Sequence, residues 1–380
     1  MSCVTCCNET LVEISPDYNS VGRVTSDARP HLSASRILVC DHCGLVQKPY
    51  DQALALEVDE IYSSYNMYDG ELFADQLIWS SSGASMDRSQ WVLKHVSESI
   101  ELPLGSLALD VGCGNGAFLR AAGNYFEGVT LFGSEFGASN EDAFRDRIKG
   151  FSRLLVKNEV FSSGMSFDLV TLIHSLEHIP EPGAYLRRLA AILSERGSIV
   201  VVVPNVLTSP FDIYISDHVS HFSPSSLRRL LISAGLEVLA VDTDTLPKEM
   251  IFTCARSTSD VGSGGPADRV DVAEVTGSLR ARILSHRNHL EALNQLTSSG
   301  QSIGVYGSSV ASAWVTSNLT YPPSYYIDDA PAKIGGEFLG RPVLAFEQVP
   351  HGAIVVMPFG PETVSAKSLE RPDIKTIPVN

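Results

Sequence analysis

Between residues 87 and 256 the chain alternates two hydrophobic periods. Short apolar runs of strand length are followed by segments whose apolar residues recur every three or four positions. This predicts a helix over 87–100, a strand over 107–111, a helix over 117–125, a strand over 129–135 and a helix over 140–148. A connecting stretch follows, then a strand over 167–173, a helix over 183–193 and a strand over 198–203. Ser223-Pro224 is a helix start, a capping hydroxyl before a first-turn proline, and that helix buries Leu227, Leu230 and Leu231. Runs at 236–242 and 250–255 predict a closing antiparallel pair. Strands alternating with helices specify a parallel sheet covered on both faces, so the expected fold class is α/β.

The pattern breaks at Ser257-Thr258-Ser259-Asp260-Val261-Gly262-Ser263-Gly264-Gly265-Pro266, which has linker composition. Beyond it, 272–296 is helical in pattern, with Arg280, Arg282, His286, Arg287 and His289 expected on a solvated face. A second strand-loop-helix follows in Ile303-Gly304-Val305-Tyr306-Gly307-Ser308-Ser309, then Ile327-Asp328-Asp329 and a strand over 353–357. These predict a small Rossmann-like α/β unit, without the full glycine fingerprint for a dinucleotide. The expected organisation is an N-terminal domain over 1–75, a core over 76–256, a linker over 257–270 and a C-terminal α/β domain over 271–380. Tyr62, Tyr65 and Tyr68 share a helix face, which suits either burial or a lid.

Composition narrows the picture. The 380 residues are 44% hydrophobic and 19% charged, as in ordinary globular proteins rather than disordered ones. A net charge of -16 opposes generic binding to nucleic acid or an anionic membrane. No apolar run reaches membrane-span length, and the first residues lack the charged start and apolar stretch of a signal peptide, so a cytoplasmic location is expected. In that compartment seven cysteines suggest metal ligands or buried thiols rather than disulfides.

Two Cys-x-x-Cys knuckles, Cys3/Cys6 and Cys40/Cys43, fit a structural Zn²⁺: each short turn presents two thiolates, and four sulfurs leave no open position for catalysis. Cys7 and His42 lie beside the knuckles as possible substitutes. The apolar run Leu107-Ala108-Leu109-Asp110-Val111 ends in Gly112-Cys113-Gly114-Asn115-Gly116. Such a loop lets backbone N–H groups approach a ligand at the positive end of a helix, although a merely structural turn has the same composition. Glu135 closes the next strand, where a carboxylate can accept both hydroxyls of a ribose. Ile173-His174-Ser175-Leu176-Glu177-His178 ends another strand, and Glu177 there could also serve only as a local cap. Asp217, His218 and His221 fall in a loop before a helix; acid–base work fits them better than a metal.

The glycine loop after Asp110 is similar to the first motif of class I S-adenosylmethionine methyltransferases, and Glu135 and the Leu176-Glu177-His178-Ile179-Pro180-Glu181-Pro182 segment follow in that family's order. Taken whole, the chain resembles bacterial C-methyltransferases acting on nucleotide-linked keto-sugars, with Asp217-His218-Val219-Ser220-His221-Phe222-Ser223 similar to their histidine segment. The resemblance implies a class I Rossmann-like core flanked by an N-terminal zinc-binding domain and a C-terminal α/β domain. It implies S-adenosylmethionine held by Asp110, Gly112, Gly114, Gly116, Glu135 and His174. It also implies His218 as base with Asp217 beside it, and His178 or Tyr214 on the developing enolate. Ile215 and Ser216 stand where the family has a tyrosine and a second histidine, so the resemblance is firmer for the donor than for the acceptor. O-methylation of a sugar or related metabolite, and a non-catalytic scaffold binding nucleotide-sugars or protein, are the alternatives.

Overall fold

The computed structural model describes residues 2–31, 35–64, 72–79, 85–135, 141–156, 159–246, 248–257, 272–360 and 370–379. The strand-helix alternation gives a seven-stranded sheet in the order Phe151–Val156, Thr130–Glu135, Leu107–Val111, Phe167–Ile173, Leu193–Pro204, Glu249–Arg256, Leu236–Asp242. The first five strands run parallel and the last two close the sheet antiparallel. Ile199 through Val203 are wholly buried, as an uninterrupted apolar strand requires when helices cover both faces. The predicted helix Ala117–Tyr125 and strand Phe167–Ile173 are found with those bounds. The edge strand Phe151–Val156 was hidden in the connecting stretch because only Leu154 and Leu155 in it are buried, too few to set a period.

By compactness the chain divides into two units. One unit comprises Met1–Val12, Val39–Ser209 and Val219–Val272; the other comprises Glu13–Leu38, Pro210–His218 and Ala273–Asn380. The N-terminal stretch serves two cores. Cys3, Cys40, Cys43 and Leu45 join the apolar cluster of Leu176, Phe222 and Leu227 in the first unit. In the second, the Gly22 amide donates to Asn318 at 2.6 Å and Arg280 donates to the Ile14 carbonyl. The linker beyond Ser257, and Tyr65 and Tyr68 of the tyrosine face, lie outside the described residues. Tyr62 falls in the helix Gln52–Ser63 and is 38% exposed.

The second unit carries a six-stranded sheet in the order Glu337–Phe338, Arg341–Leu344, Tyr325–Ile327, Ile303–Tyr306, Ile354–Met357, Lys375–Pro378, parallel except for the first hairpin. Its long helix Val272–Ser298 buries Leu279, Ile283, His286, Leu290 and Leu293. The solvated face expected there needs correction: His286 is a core residue, Arg280 caps a carbonyl, and Arg287 pairs with Asp17. Among the described residues no helix is long and apolar enough to cross a membrane.

Candidate active site

The glycine loop is built by backbone geometry that side chains resist. Gly112, Gly114 and Gly116 have φ of 73°, 52° and 79°, in the left-handed region. A Cβ at Gly112 would lie 2.7 Å from Ser175 Cβ, and one at Gly116 would lie 2.7 Å from the Phe144 ring. The loop is anchored by Gly112 and Cys113 N–H donating to the Ser134 carbonyl at 2.7 and 3.1 Å. Gly114 N–H donates to Glu135 Oε2 at 2.8 Å, bringing the predicted loop and the predicted acid together. Cys113 is buried and fills space beside Gly133; its thiol pKa is pushed well up, first by burial.

Asp110 lies under this loop, almost wholly buried, and accepts the Thr171 hydroxyl at 2.7 Å. Burial, with a smaller contribution from the Glu135 charge, raises its pKa to about 7 against the lowering effect of Thr171. The loop therefore rests on a carboxyl that protonates near neutrality. A cationic ligand would draw it back to the ionised form.

At the end of the Phe167–Ile173 strand, His174 takes a φ of 51°, uncommon for a residue with a side chain. Its Nδ1 lies 3.3 Å from Glu177 Oε1 and its Nε2 3.0 Å from Glu249 Oε2, while Arg88 reaches Glu249 Oε1 at 2.9 Å. Both ring nitrogens thus face carboxylates, which places His174, an expected cofactor contact, in an ion network. His178 closes the short turn Leu176–His178, its ring edge-on to Tyr62 at 6.2 Å.

The remaining expected catalytic residues lie in the second unit, in Pro210–His218. His218 is 4% exposed and its Nδ1 pairs with Asp212 at 2.7 Å. Its partner is therefore Asp212, not the Asp217 expected from adjacency. Asp217 accepts from the Ser26 amide at 2.9 Å and from the Ser26 hydroxyl at 2.5 Å. Asp212 opens the 3-10 turn Asp212–Tyr214, which brings the chain back so that residues six apart meet. Tyr214 also departs from expectation: it is wholly buried, stacked on Tyr18 and Trp314 at 5.7 and 4.6 Å, with its hydroxyl 3.1 Å from His286 Nδ1. Burial raises the Tyr214 pKa and lowers that of His286 to about 3, so both are neutral core groups.

Two further groups were not anticipated. Lys48 is wholly buried with Nζ 3.5 Å from His221 Nε2, on a strand edge where Val46 pairs with His221 and Gln47 with Ser220. The signal for Asp212 was equally quiet, an acid in an apolar segment six residues from a histidine.

The four knuckle thiols converge, with all Sγ atoms within 4.8 Å of one another and the Cys3–Cys43 and Cys6–Cys40 pairs at 3.5 Å. A tetrahedron of ~2.3 Å Zn–S bonds has edges of about 3.8 Å, so the donor set fits zinc. Cys7 and His42 are not part of this group of four; Cys7 is exposed with φ 58°.

Residues 93–241 match the family described as "Methyltransferase domain". The C-methyltransferase NovU of Streptomyces niveus is 26% identical over 214 residues, covering 54% of this chain and 47% of NovU. The ubiquinone biosynthesis O-methyltransferase of Idiomarina loihiensis is 28% identical over 156 residues, covering 36% of this chain and 64% of that enzyme. The chain thus spans less than two thirds of the length of these relatives. Among solved structures, the mitomycin 7-O-methyltransferase MmcR aligns at 16% identity with a TM-score of 0.39, covering 54% of this chain and 60% of that one.

Proposed function

We propose that this chain, in which residues 93–241 form a methyltransferase domain with the class I Rossmann-like fold, methylates carbon of a nucleotide-linked keto-sugar. The buried Asp212–His218 pair carries the reading. A carboxylate at Nδ1 fixes the orientation and tautomer of the His218 ring, the arrangement a general base requires. S-adenosylmethionine supplies a methyl group on a sulfonium, and the residues suited to hold it are Asp110, the loop Gly112–Gly116 and Glu135. Glu135 would take the ribose hydroxyls, and the buried Asp110 would offset positive charge on the donor. His218 Nε2 removes a proton from the carbon beside the acceptor carbonyl, and His178 donates to the resulting enolate oxygen. Bound beside the acceptor, S-adenosylmethionine would supply the methyl group with cleavage of its C–S bond, leaving S-adenosylhomocysteine, while His218 holds the proton taken from carbon.

The name C-methyltransferase borne by NovU favours carbon as the methylated atom; the O-methyltransferases among the relatives favour oxygen as the second reading. Incubation with ¹³C-methyl S-adenosylmethionine and a panel of keto-sugar nucleotides, with the product read by mass spectrometry and NMR, tests the proposal. A new C–CH₃ resonance is expected, and an O–CH₃ resonance would move the assignment to the second reading. General-base assistance contributes ~10²–10⁴ in rate, so His218→Ala should lower kcat about 10²-fold or more with donor affinity unchanged.

The Cys3, Cys6, Cys40, Cys43 cluster is proposed to hold a structural Zn²⁺. Native mass spectrometry should find one zinc per chain, lost in Cys40→Ser/Cys43→Ser. Metal-free protein of unchanged thermal stability would end the assignment.

A further inference from the structure

We propose that His174 is a positioning residue: a hub, doubly protonated at neutral pH, that joins Arg88, Glu177 and Glu249 in one ion network and thereby fixes the turn carrying His178. The quartet draws on four places in the fold. Arg88 opens the helix Arg88–Ser99, Glu249 opens the strand Glu249–Arg256, His174 follows the strand Phe167–Ile173, and Glu177 lies in the turn behind it. Glu177 is 1% exposed and Glu249 6%, so neither carboxylate can depend on solvent. With a carboxylate at each ring nitrogen, His174 can donate to both only when both nitrogens carry a proton.

The backbone agrees with this assignment. The left-handed conformation of His174 is a local cost that persists where surrounding contacts over-determine it. It turns the ring toward the two carboxylates and sets Ser175 against Gly112, where a Cβ would be 2.7 Å away. The same turn offers the Glu177 carbonyl to the Val219 amide at 2.9 Å. One ion network therefore holds a turn that touches the glycine loop on one side and receives Val219 on the other.

A ring nitrogen of His178 lies within 4.8 Å of the Glu177 carboxylate. Lys248 precedes Glu249; burial lowers its pKa, and the Glu249 charge works in the opposite direction. For His174, burial alone would favour the neutral ring and Arg88 adds to that, but Glu249 and Glu177 prevail and lift the pKa from 6.5 to about 9. Burial would raise the Glu249 pKa, but Arg88 and His174 hold it at about 2. The stability that protonated His174 contributes is complete below pH 6.5 and is lost as pH rises through about 9.

The test uses the full chain in four forms: wild type, His174→Asn, Glu249→Gln and the double variant. Asparagine tolerates the left-handed backbone and carries no charge, so His174→Asn removes the cation without straining the turn. Ring ¹⁵N resonances of His174 should show both nitrogens protonated at pH 7.5 and a titration near pH 9. His174→Asn should lose several degrees of Tm and about tenfold in kcat, with KM for the acceptor changed far less. Adding Glu249→Gln removes the buried carboxylate that has lost its His174 partner and should recover more than half of both losses. The kinetic part rests on the methyl-transfer reading, whereas the ¹⁵N titration and the Tm cycle do not. A His174 ring that titrates near 6.5, or a double variant no better than the single, would overturn the proposal whether or not methyl transfer is found.

Discussion

The chain contains two strand-loop-helix cradles built on one plan, and they differ in what is done with the acid. In the first, Gly114 N–H donates to Glu135, which ends the neighbouring parallel strand, at 2.8 Å. In the second, Ser308 N–H donates to Asp328, which follows the neighbouring parallel strand, at 2.9 Å. The pairs are 21 and 20 residues apart. The first loop has three glycines in the left-handed region, whereas the second has Gly307 alone, packed against Phe359. Asp328 is joined by Lys333 at 3.3 Å, and that ammonium also caps the Ser308 carbonyl at 3.0 Å; Tyr306 donates to Asp329. Glu135 instead adds its charge to the field that keeps Asp110 half protonated near neutrality. The second cradle pairs its acid with a lysine. The topology is shared, and the proposed donor site lies in the cradle whose three left-handed glycines allow a ligand to approach the backbone closely.

The strongest challenge to this contrast is to remove each acid in turn. Hydrogen bonds to a charged group contribute about 1.5–3 kcal/mol each, so Glu135→Ala should weaken S-adenosylmethionine binding by about 10- to 100-fold in calorimetry. Asp328→Ala should leave donor affinity within about twofold, because its partners are a lysine and a loop amide. Equal losses at both positions would erase the distinction. A smaller effect sharpens it. If a donor bearing positive charge favours ionised Asp110, whose pKa in the free protein is about 7, binding should tighten as pH rises and level off above that value. The expected difference is about tenfold between pH 6 and pH 8, absent in Asp110→Asn. A flat wild-type profile would mean that Asp110 is not coupled to the donor.

The first cradle was legible in the sequence because both its parts are strong local signals: an apolar strand ending in alternating glycines, and an acid closing the next strand. The convergence of four thiols was legible for the same reason, since two short Cys-x-x-Cys knuckles each present a pair. What escaped is long-range or set by a turn. Asp217 precedes His218 in the chain, yet the 3-10 turn Asp212–Tyr214 gives His218 to Asp212 and leaves Asp217 to Ser26. Tyr214 reads as a polar candidate, but its hydroxyl meets His286 inside an aromatic core. His286 itself could have been found, because it falls in the three-and-four spacing of Leu279, Ile283, Leu290 and Leu293. Lys48 has no motif around it; only the pairing of Val46 with His221 brings it to that histidine.

The central claim is that His218 makes a carbon nucleophile, and solvent isotope exchange tests it most directly. Acceptor incubated in D₂O with the protein, with S-adenosylhomocysteine in place of the methyl donor, should gain one deuterium at the carbon beside the carbonyl. His218→Ala should slow that gain by about 10²-fold or more. Exchange at the wild-type rate in His218→Ala would remove His218 as the base. Methyl transfer to oxygen with no exchange at carbon would contradict the enolate route.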